Sequence, residues 1–505
     1  RFDRPVIVGI LAVAGALAPR QAAAQDRISL ATPPPGNEEC VPVSAPDPVR
    51  LPVRGARLTM APQSYRIGGK QFTTNVYNRH FLGPTLTMQP GETMNLSVVN
   101  AMRETDSQPA AVTAWTNLHY HGLVVTPRPD GGDNVTHVHI DRDAPPRGYD
   151  FPVPAYHTTG MFWYHPHPHG ISTPQVGGGL SGALLVGSIL QYFPQYAGVR
   201  ERVLLIRDMG GLVGSPALLN LNGSTCARLA VAPGERQLWH IGNFGANNFV
   251  NLKLDGMRWT LLAMDGNPLP VEEQVDSLWI PPGSRAEVIV TGPPAGTRVR
   301  LFSAPFAPRT TASTTLGWLV GEGRARAPLA ARALRGADAS VIDTLLFLRK
   351  AREVGRHTFR FQFIGDSAGV NDSIYKPTDL PVAIPWRQVQ EWTIINETKS
   401  LHTFHIHQTD FVVTSVNGQP VDERLLRDNV PVGVHPDGRG GFAGDTITLR
   451  FTFEPIAAGP FVFHCHVLAH EDEGMMHNVC VYDPNDPDGV NKCNAMFSGG
   501  GAHGH

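Results

Sequence analysis

The chain has 505 residues, with 42 Lys and Arg against 44 Asp and Glu, so its formal net charge is −2. That balance gives no reason to expect a nucleic acid or an anionic membrane as partner. Its 52 Gly, 44 Pro and 42% hydrophobic residues suit a turn-rich β protein better than a helical one. At roughly 150 residues per domain, the length predicts about three domains.

Residues 1–25 read as a signal peptide. Arg1 and Arg4 give a positive end, residues 6–17 an apolar stretch, and Ala22, Ala23 and Ala24 a small-residue cleavage region. The stretch is too short for a membrane span, so the expected product is exported, either periplasmic or secreted. Residues 26–50 read as a linker, Pro-rich between Thr32 and Cys40.

One pattern then recurs at domain-length intervals: an alternating strand that ends in Asn, at 94–100, 237–243 and 390–396. A second pattern recurs with it. Arg147-Gly148-Tyr149 leads into a strand at 150–154, Gly283-Ser284-Arg285 into 286–290, and Gly444-Asp445-Thr446 into 447–453. Short strands separated by turns and repeated in this way predict an all-β chain of three β-sandwich domains. Their ranges are 51–190, 191–350 and 351–485, with a tail at 486–505. His503 and His505 fall in that Gly-rich tail.

Histidines cluster in the first and third repeats only. His119-Tyr120-His121 comes first, then His165-Pro166-His167, then His402-Thr403-Phe404-His405-Ile406-His407. The last cluster is His464-Cys465-His466, followed by His470 and Met475. Successive strand residues face opposite ways. If 461–467 is a strand, Cys465 faces one way and both flanking histidines the other. The same parity separates His402 from His405 and His407. One thiolate, two imidazoles and a weak thioether make the ligand set of a blue electron-transfer copper, and Cys465, His470, Met475 and His402 supply it. Eight imidazoles remain: His119, His121, His165, His167, His405, His407, His464 and His466. They are too many for one ion and suit a cluster of several coppers. His169 and His477 read as neighbours of the sites or as surface residues, and Met476 as core packing.

On these four motifs, in this order, the chain resembles the multicopper oxidases, specifically the three-domain bacterial laccase-like members. The resemblance implies three cupredoxin-like Greek-key domains and four copper ions. By it, His402, Cys465, His470 and Met475 hold the type 1 copper, and His119 and His405 the type 2. His121, His165, His167, His407, His464 and His466 hold the type 3 pair. It implies a small-molecule reducing substrate and O2 as partners, with four one-electron oxidations coupled to reduction of O2 to two waters. It also places two carboxylates at proton-relay positions, Asp130 and Glu471, with Asp133 and Asp472 as poorer candidates. A phenolic or aromatic amine donor is expected, because the 11 methionines are scattered and offer no Met-rich insert. A metallo-oxidase for Cu(I), Fe(II) or Mn(II) is the alternative, and a copper-binding protein without turnover a further one. The loops at 309–315 and 371–380 are expected to shape the substrate site.

Cys465 leaves Cys40, Cys226, Cys480 and Cys493, which allow three pairings. Nearness in sequence favours Cys480 with Cys493.

Overall fold

Alternation in sequence becomes alternation in burial. The structure is a computed structural model and describes residues 40–67, 70–208, 219–308, 312–326, 339–353, 355–422, 424–438 and 441–498. On the strand Thr93–Asn100, Met94, Leu96 and Val98 are buried, and the residues between them are exposed or half-buried. On Gln390–Asn396, Trp392 and Ile394 take the inward places.

The asparagine that closes each repeat has one job, performed three times. Its side-chain oxygen accepts the N–H two residues on: Met102 onto Asn100 at 3.2 Å, Gly245 onto Asn243 at 3.3 Å, and Thr398 onto Asn396 at 2.8 Å. Its amide donates across the sandwich to the carbonyls of Ile140, Ile280 and Gly433 respectively. Such Asx turns end a strand and satisfy the freed backbone groups.

Both sequence patterns are neighbours in the sheets. Each Asn-ended strand pairs in parallel with an earlier strand: with Ala56–Ile67, with Arg200–Arg207 and with Gly355–Ile364. Each pairs antiparallel with the strand of the second pattern: Arg147–Pro152, Arg285–Thr291 and Thr446–Phe451. A second sheet faces each of these, giving three sandwiches with separate cores. Leu58, Leu96 and Leu184 lie in the first core, Trp239, Trp259 and Val288 in the second, and Trp392, Phe404 and Phe463 in the third.

Both ends of the described chain carry structure. The segment read as a linker contains structure. Val43–Ser44 adds a parallel strand to Ala227–Val231 of the second sandwich, and Arg50–Pro52 pairs with Gly83–Met88 of the first. A Cys40–Cys226 disulfide anchors the same segment, with its Cα atoms 6.0 Å apart. The tail forms a helix, Gly489–Ser498, held by a Cys480–Cys493 disulfide. Cys493 and Phe497 pack there against Cys480. The proposed signal peptide and both tail histidines, His503 and His505, lie outside the described residues. Among the described residues, no helix is long and apolar enough to cross a membrane.

The first and second sandwiches meet over a buried ion pair. His240 Nδ1 lies 2.6 Å from Glu287 Oε1, and its Nε2 lies 3.5 Å from Glu201 Oε2. Across the interface, the Met161 N–H donates to Glu287 Oε2 at 3.3 Å. Burial works against charge on His240, but the two carboxylates outweigh it and lift its pKa from 6.5 to about 9. A folded-state value above the unfolded one contributes stability that is complete below the unfolded pKa and lost as pH rises through the folded one. The melting temperature should therefore decline as pH rises through about 9. His240→Gln should melt lower than the wild type near neutral pH and show a flatter decline. An unchanged slope by calorimetry would assign the pH dependence to other groups.

Candidate metal centres

The strand Gly459–Cys465 is buried along its whole length and divides its side chains between two sites. Phe461, Phe463 and Cys465 enter the third core. His464 lies on the opposite face, and His466 follows it just past the strand's end, where its N–H donates to Thr403 at 2.7 Å.

On the core side, Cys465 Sγ lies 3.5 Å from His402 Nδ1 and 3.6 Å from His470 Nδ1. The three donors form one buried group. The repeat's asparagine reaches this site. The Thr398 hydroxyl donates to Asn396 Oδ1 at 2.7 Å, which leaves its oxygen to accept from His402 Nε2, also 2.7 Å away. A proton on Nε2 leaves the Nδ1 lone pair facing Cys465. The helix Leu468–Glu473 carries His470 and ends at Gly474, whose φ is +115°. That reversal brings Met475 back to the cysteine, where its carbonyl accepts the Cys465 N–H at 3.0 Å. Met475 is fully buried in the same core as Cys465. Met476 packs instead against Tyr375 and Val462.

On the other face, His119, His121, His165, His167, His405 and His407, from the strands His119–His121, Gly160–His165 and His402–Ile406 or just past them, join His464 and His466 at the junction of the first and third sandwiches. The junction is built from mixed pairs. His119 stacks on His407 at 3.9 Å between ring centroids, and His121 on His405 at 3.8 Å. The Nε2 atoms of His167 and His407 converge on His464 Nε2, at 3.0 and 3.3 Å.

Outer nitrogens of several rings meet protein acceptors. His119 Nδ1 faces both oxygens of Asp133 at 3.1 Å. His165 Nδ1 faces the Pro166 carbonyl at 2.8 Å, and His405 Nδ1 the Asp428 carbonyl at 2.7 Å. Such partners set the tautomer and turn the other nitrogen's lone pair inward. His119 Nε2, His165 Nε2, His405 Nε2, His121 Nδ1 and both nitrogens of His466 are buried with no hydrogen-bond partner. Burial, followed by the neighbouring imidazoles, holds His121, His165, His167, His405, His407 and His466 well below the ordinary histidine pKa. Burial thus favours the neutral form of these rings. Each buried acceptor left unpaired costs on the order of 1–3 kcal/mol, and a copper ion is the partner such lone pairs fit.

The acidic residues separate clearly. Asp130 sits exposed on a turn, facing solvent. Asp133, three residues on, is fully buried against His119, and its Oδ2 accepts from Gln408 Nε2 at 3.0 Å. Of the expected relay positions, Asp130 therefore lies away from the cluster, and the loop turns Asp133 towards it. Glu471 is fully buried, 3.1 Å from His464 Nδ1 and 3.4 Å from His167 Nδ1. Burial, then the charge of Asp472, raises its pKa well above the ordinary value. Asp472 instead accepts the N–H groups of Ser172 and Thr173, tying the third sandwich to a helix of the first.

His169 and His477 lie beside the sites, His169 against Tyr375 and His477 stacked on Phe463. Within the expected loop 371–380, Asn371, Ser373, Tyr375 and Asp379 line a cavity of about 120 Å³ with His477. Residues 309–311 of the other loop lie outside the described residues.

Comparison with known proteins agrees with this geometry. Models of the multicopper oxidase family match residues 59–189, 193–318 and 348–485. Multicopper oxidase mco of Staphylococcus haemolyticus is 24% identical over 433 residues, covering 80% of this chain and 83% of its own. The laccase of Bacillus subtilis is 24% identical over 478 residues, covering 81% and 90%. Among solved structures, a laccase-like multi-copper oxidase CueO from Ochrobactrum sp. superposes with a TM-score of 0.67 at 22% identity, covering 86% of this chain and all of its own. Its fold is shared, with three cupredoxin-like sandwiches. The chain belongs to the multicopper oxidases, copper-dependent oxidoreductases that pass electrons from a reducing substrate to O2.

Proposed function

We propose that this oxidase is laccase-like and takes its electrons from phenols or aromatic amines. The observation that carries the reading is Phe363. Its ring lies 5.4 Å from the His470 ring and 5.9 Å from the His402 ring, and it is 38% exposed. An aromatic donor stacked there would lie next to both imidazoles of the cysteine site. The adjacent methionines, Met475 and Met476, are both buried, so neither offers a thioether to a cuprous ion arriving from solvent.

In this reading the chain holds four coppers: one at His402, Cys465, His470 and Met475, one at His119 and His405, and a pair among His121, His165, His167, His407, His464 and His466. Copper, when bound, supplies a one-electron acceptor at the cysteine site and the reduction of O2 to two waters at the histidine cluster. Cys465 joins the two sites covalently, because its backbone continues directly into His464 and His466. Glu471 holds a proton beside His464 and His167, and Asp133 holds His119 in place from the other side. The two disulfides suit an oxidising compartment, which supports export to the periplasm or the medium.

Oxygen uptake by the copper-loaded protein tests the reading, with a methoxyphenol and with Cu(I) side by side and uncatalysed Cu(I) autoxidation subtracted. Faster uptake with Cu(I) than with the phenol would make this a metallo-oxidase. A second prediction concerns the docking face. Aromatic pairs contribute about 0.5–1.5 kcal/mol, so Phe363→Ala should raise KM for the phenol about 2- to 10-fold. Electron transfer from ferrocyanide, which needs no aromatic contact, should be unchanged. Equal losses with both donors would remove Phe363 from substrate binding.

A further inference from the structure

We propose that Arg285, from the sandwich that contributes none of the histidines, positions His121 for copper through the carboxylate of Asp428. The inference rests on the reading that the histidine cluster holds copper.

Arg285 and Asp428 are both buried, Arg285 completely. Their contact is a two-pronged fork, with Nη1 donating to Oδ1 at 2.8 Å and Nη2 to Oδ2 at 2.5 Å. Guanidinium and carboxylate match in this geometry, which sets orientation as well as charge. Oδ1 then lies 3.2 Å from His121 Nε2, and the Asp428 carbonyl lies 2.7 Å from His405 Nδ1. One residue of the third sandwich therefore touches a histidine of the first and a histidine of its own.

The arginine is itself anchored on three sides. Its Nε donates to the Met161 carbonyl of the first sandwich at 3.2 Å, its Nη1 to the Gly283 carbonyl at 3.1 Å, and its backbone N–H to Asp265 Oδ1 at 2.8 Å. Gly122 leaves the space. A Cβ there would lie 2.3 Å from Asp428 Oδ2 and 2.7 Å from Arg285 Nη2. All three sandwiches thus converge on one carboxylate.

The chemistry assigns a direction. A carboxylate held in the fork accepts, so His121 Nε2 carries the proton and Nδ1 keeps its lone pair. Nδ1 is the nitrogen that is buried without a partner, and ring nitrogens of His121, His119 and His165 lie within 4.8 Å of one another. The atoms of His121, His405 and Asp428 also lie close enough to hold an ion. Oδ1 accepts from both Arg285 and His121, and Arg285 meets the charge of the carboxylate, which suits an orienting group. The ligand-free sandwich then has a part in the metal site: its docking sets which face of His121 meets the copper.

The test uses the copper-loaded full chain with Arg285→Lys, which keeps the charge but lacks the fork. The readouts are copper per chain, the blue absorption, the magnetic coupling of the cluster by electron paramagnetic resonance, and the melting temperature of the copper-free protein. Partners behind a ligand contribute about 10- to 100-fold in metal affinity. The expected result is a loss of that size in cluster copper, with appearance of uncoupled copper, while the blue absorption and the fold remain. A folded Arg285→Lys protein with full, coupled cluster copper would overturn the proposal. So would equal loss of blue absorption, cluster copper and melting temperature, because that marks a structural role only. Should Arg285→Lys fail to fold, the double variant Arg285→Met with Asp428→Asn removes both buried charges. It should fold and still bind cluster copper weakly, and wild-type affinity in it would overturn the proposal. A wild-type protein that binds no copper at the histidines would instead sink the reading beneath it.

Discussion

Cys465→Ser is expected to bleach the protein and reduce turnover with every external donor to background, while copper stays at the histidine cluster. The sulfur is the shared point of the site: His402 Nδ1 and His470 Nδ1 both face it, at 3.5 and 3.6 Å. A thiolate is a soft ligand suited to this copper chemistry, and a serine hydroxyl is neither soft nor ionised near neutral pH. The exchange is nearly isosteric in a fully buried position, so circular dichroism and the fold should be close to the wild type. The cluster should keep its metal because His464 and His466 face away from the sulfur and are held by other contacts, including His466 N–H to Thr403. Absorption spectroscopy, copper per chain and oxygen uptake on one preparation measure all three consequences. Persistent blue colour would show that Cys465 is not the ligand. Loss of all copper would show that the two sites do not load independently.

Parity explains why so much of these sites could be read from residue order. A strand imposes a period of two, so His464-Cys465-His466 on one strand already divides two metal centres. The structure places Cys465 in the third core and the histidines outside it. The Asn-ended repeat was legible for a related reason, since Asn100, Asn243 and Asn396 each end a strand by the same local turn. Its consequence was not legible: through Thr398, Asn396 sets the tautomer of His402.

Parity gives out where the chain leaves the sheet. Asp130 and Asp133 share one turn, and only the path of the loop decides which carboxylate reaches His119. Asp133 Oδ1 also accepts the Tyr120 N–H at 3.1 Å, pinning it to the histidine strand. Arg285 and Asp428 carried no local signal at all, because they meet across 143 residues of sequence. Pairings of that kind follow from how sandwiches dock, which a repeat pattern does not encode. The same holds for Cys40 with Cys226, separated by 186 residues, whereas Cys480 and Cys493 are 13 apart and could be favoured on nearness alone.

The second large effect is expected at Glu471. Reduction of O2 to two waters consumes four protons, and the histidine cluster is sealed: the rings that line it are at most 2% exposed. In the proposed reading protons pass through side chains, and Glu471 hands them on. It is the carboxyl group that lies within 3.1 Å of His464 Nδ1 and 3.4 Å of His167 Nδ1, and the Ser172 and Thr173 backbone beside it is already capped by Asp472. Glu471→Gln keeps the shape and cannot carry a proton. Positioned proton transfer contributes typically 10²- to 10⁴-fold, so turnover should fall by about 100-fold or more. Copper content and the blue absorption of the resting protein should be unchanged. Under turnover with excess donor and air, the variant should stand bleached, because electrons enter at the cysteine site faster than O2 removes them. A slower entry of electrons gives the opposite sign, a protein that stays blue while it turns over. Stopped-flow spectra during turnover therefore separate a proton-transfer role from damage to the cysteine site, which shares the helix Leu468–Glu473 with Glu471 through His470. Turnover equal to the wild type would transfer the proton role to Asp133, where Asp133→Asn would then carry the loss.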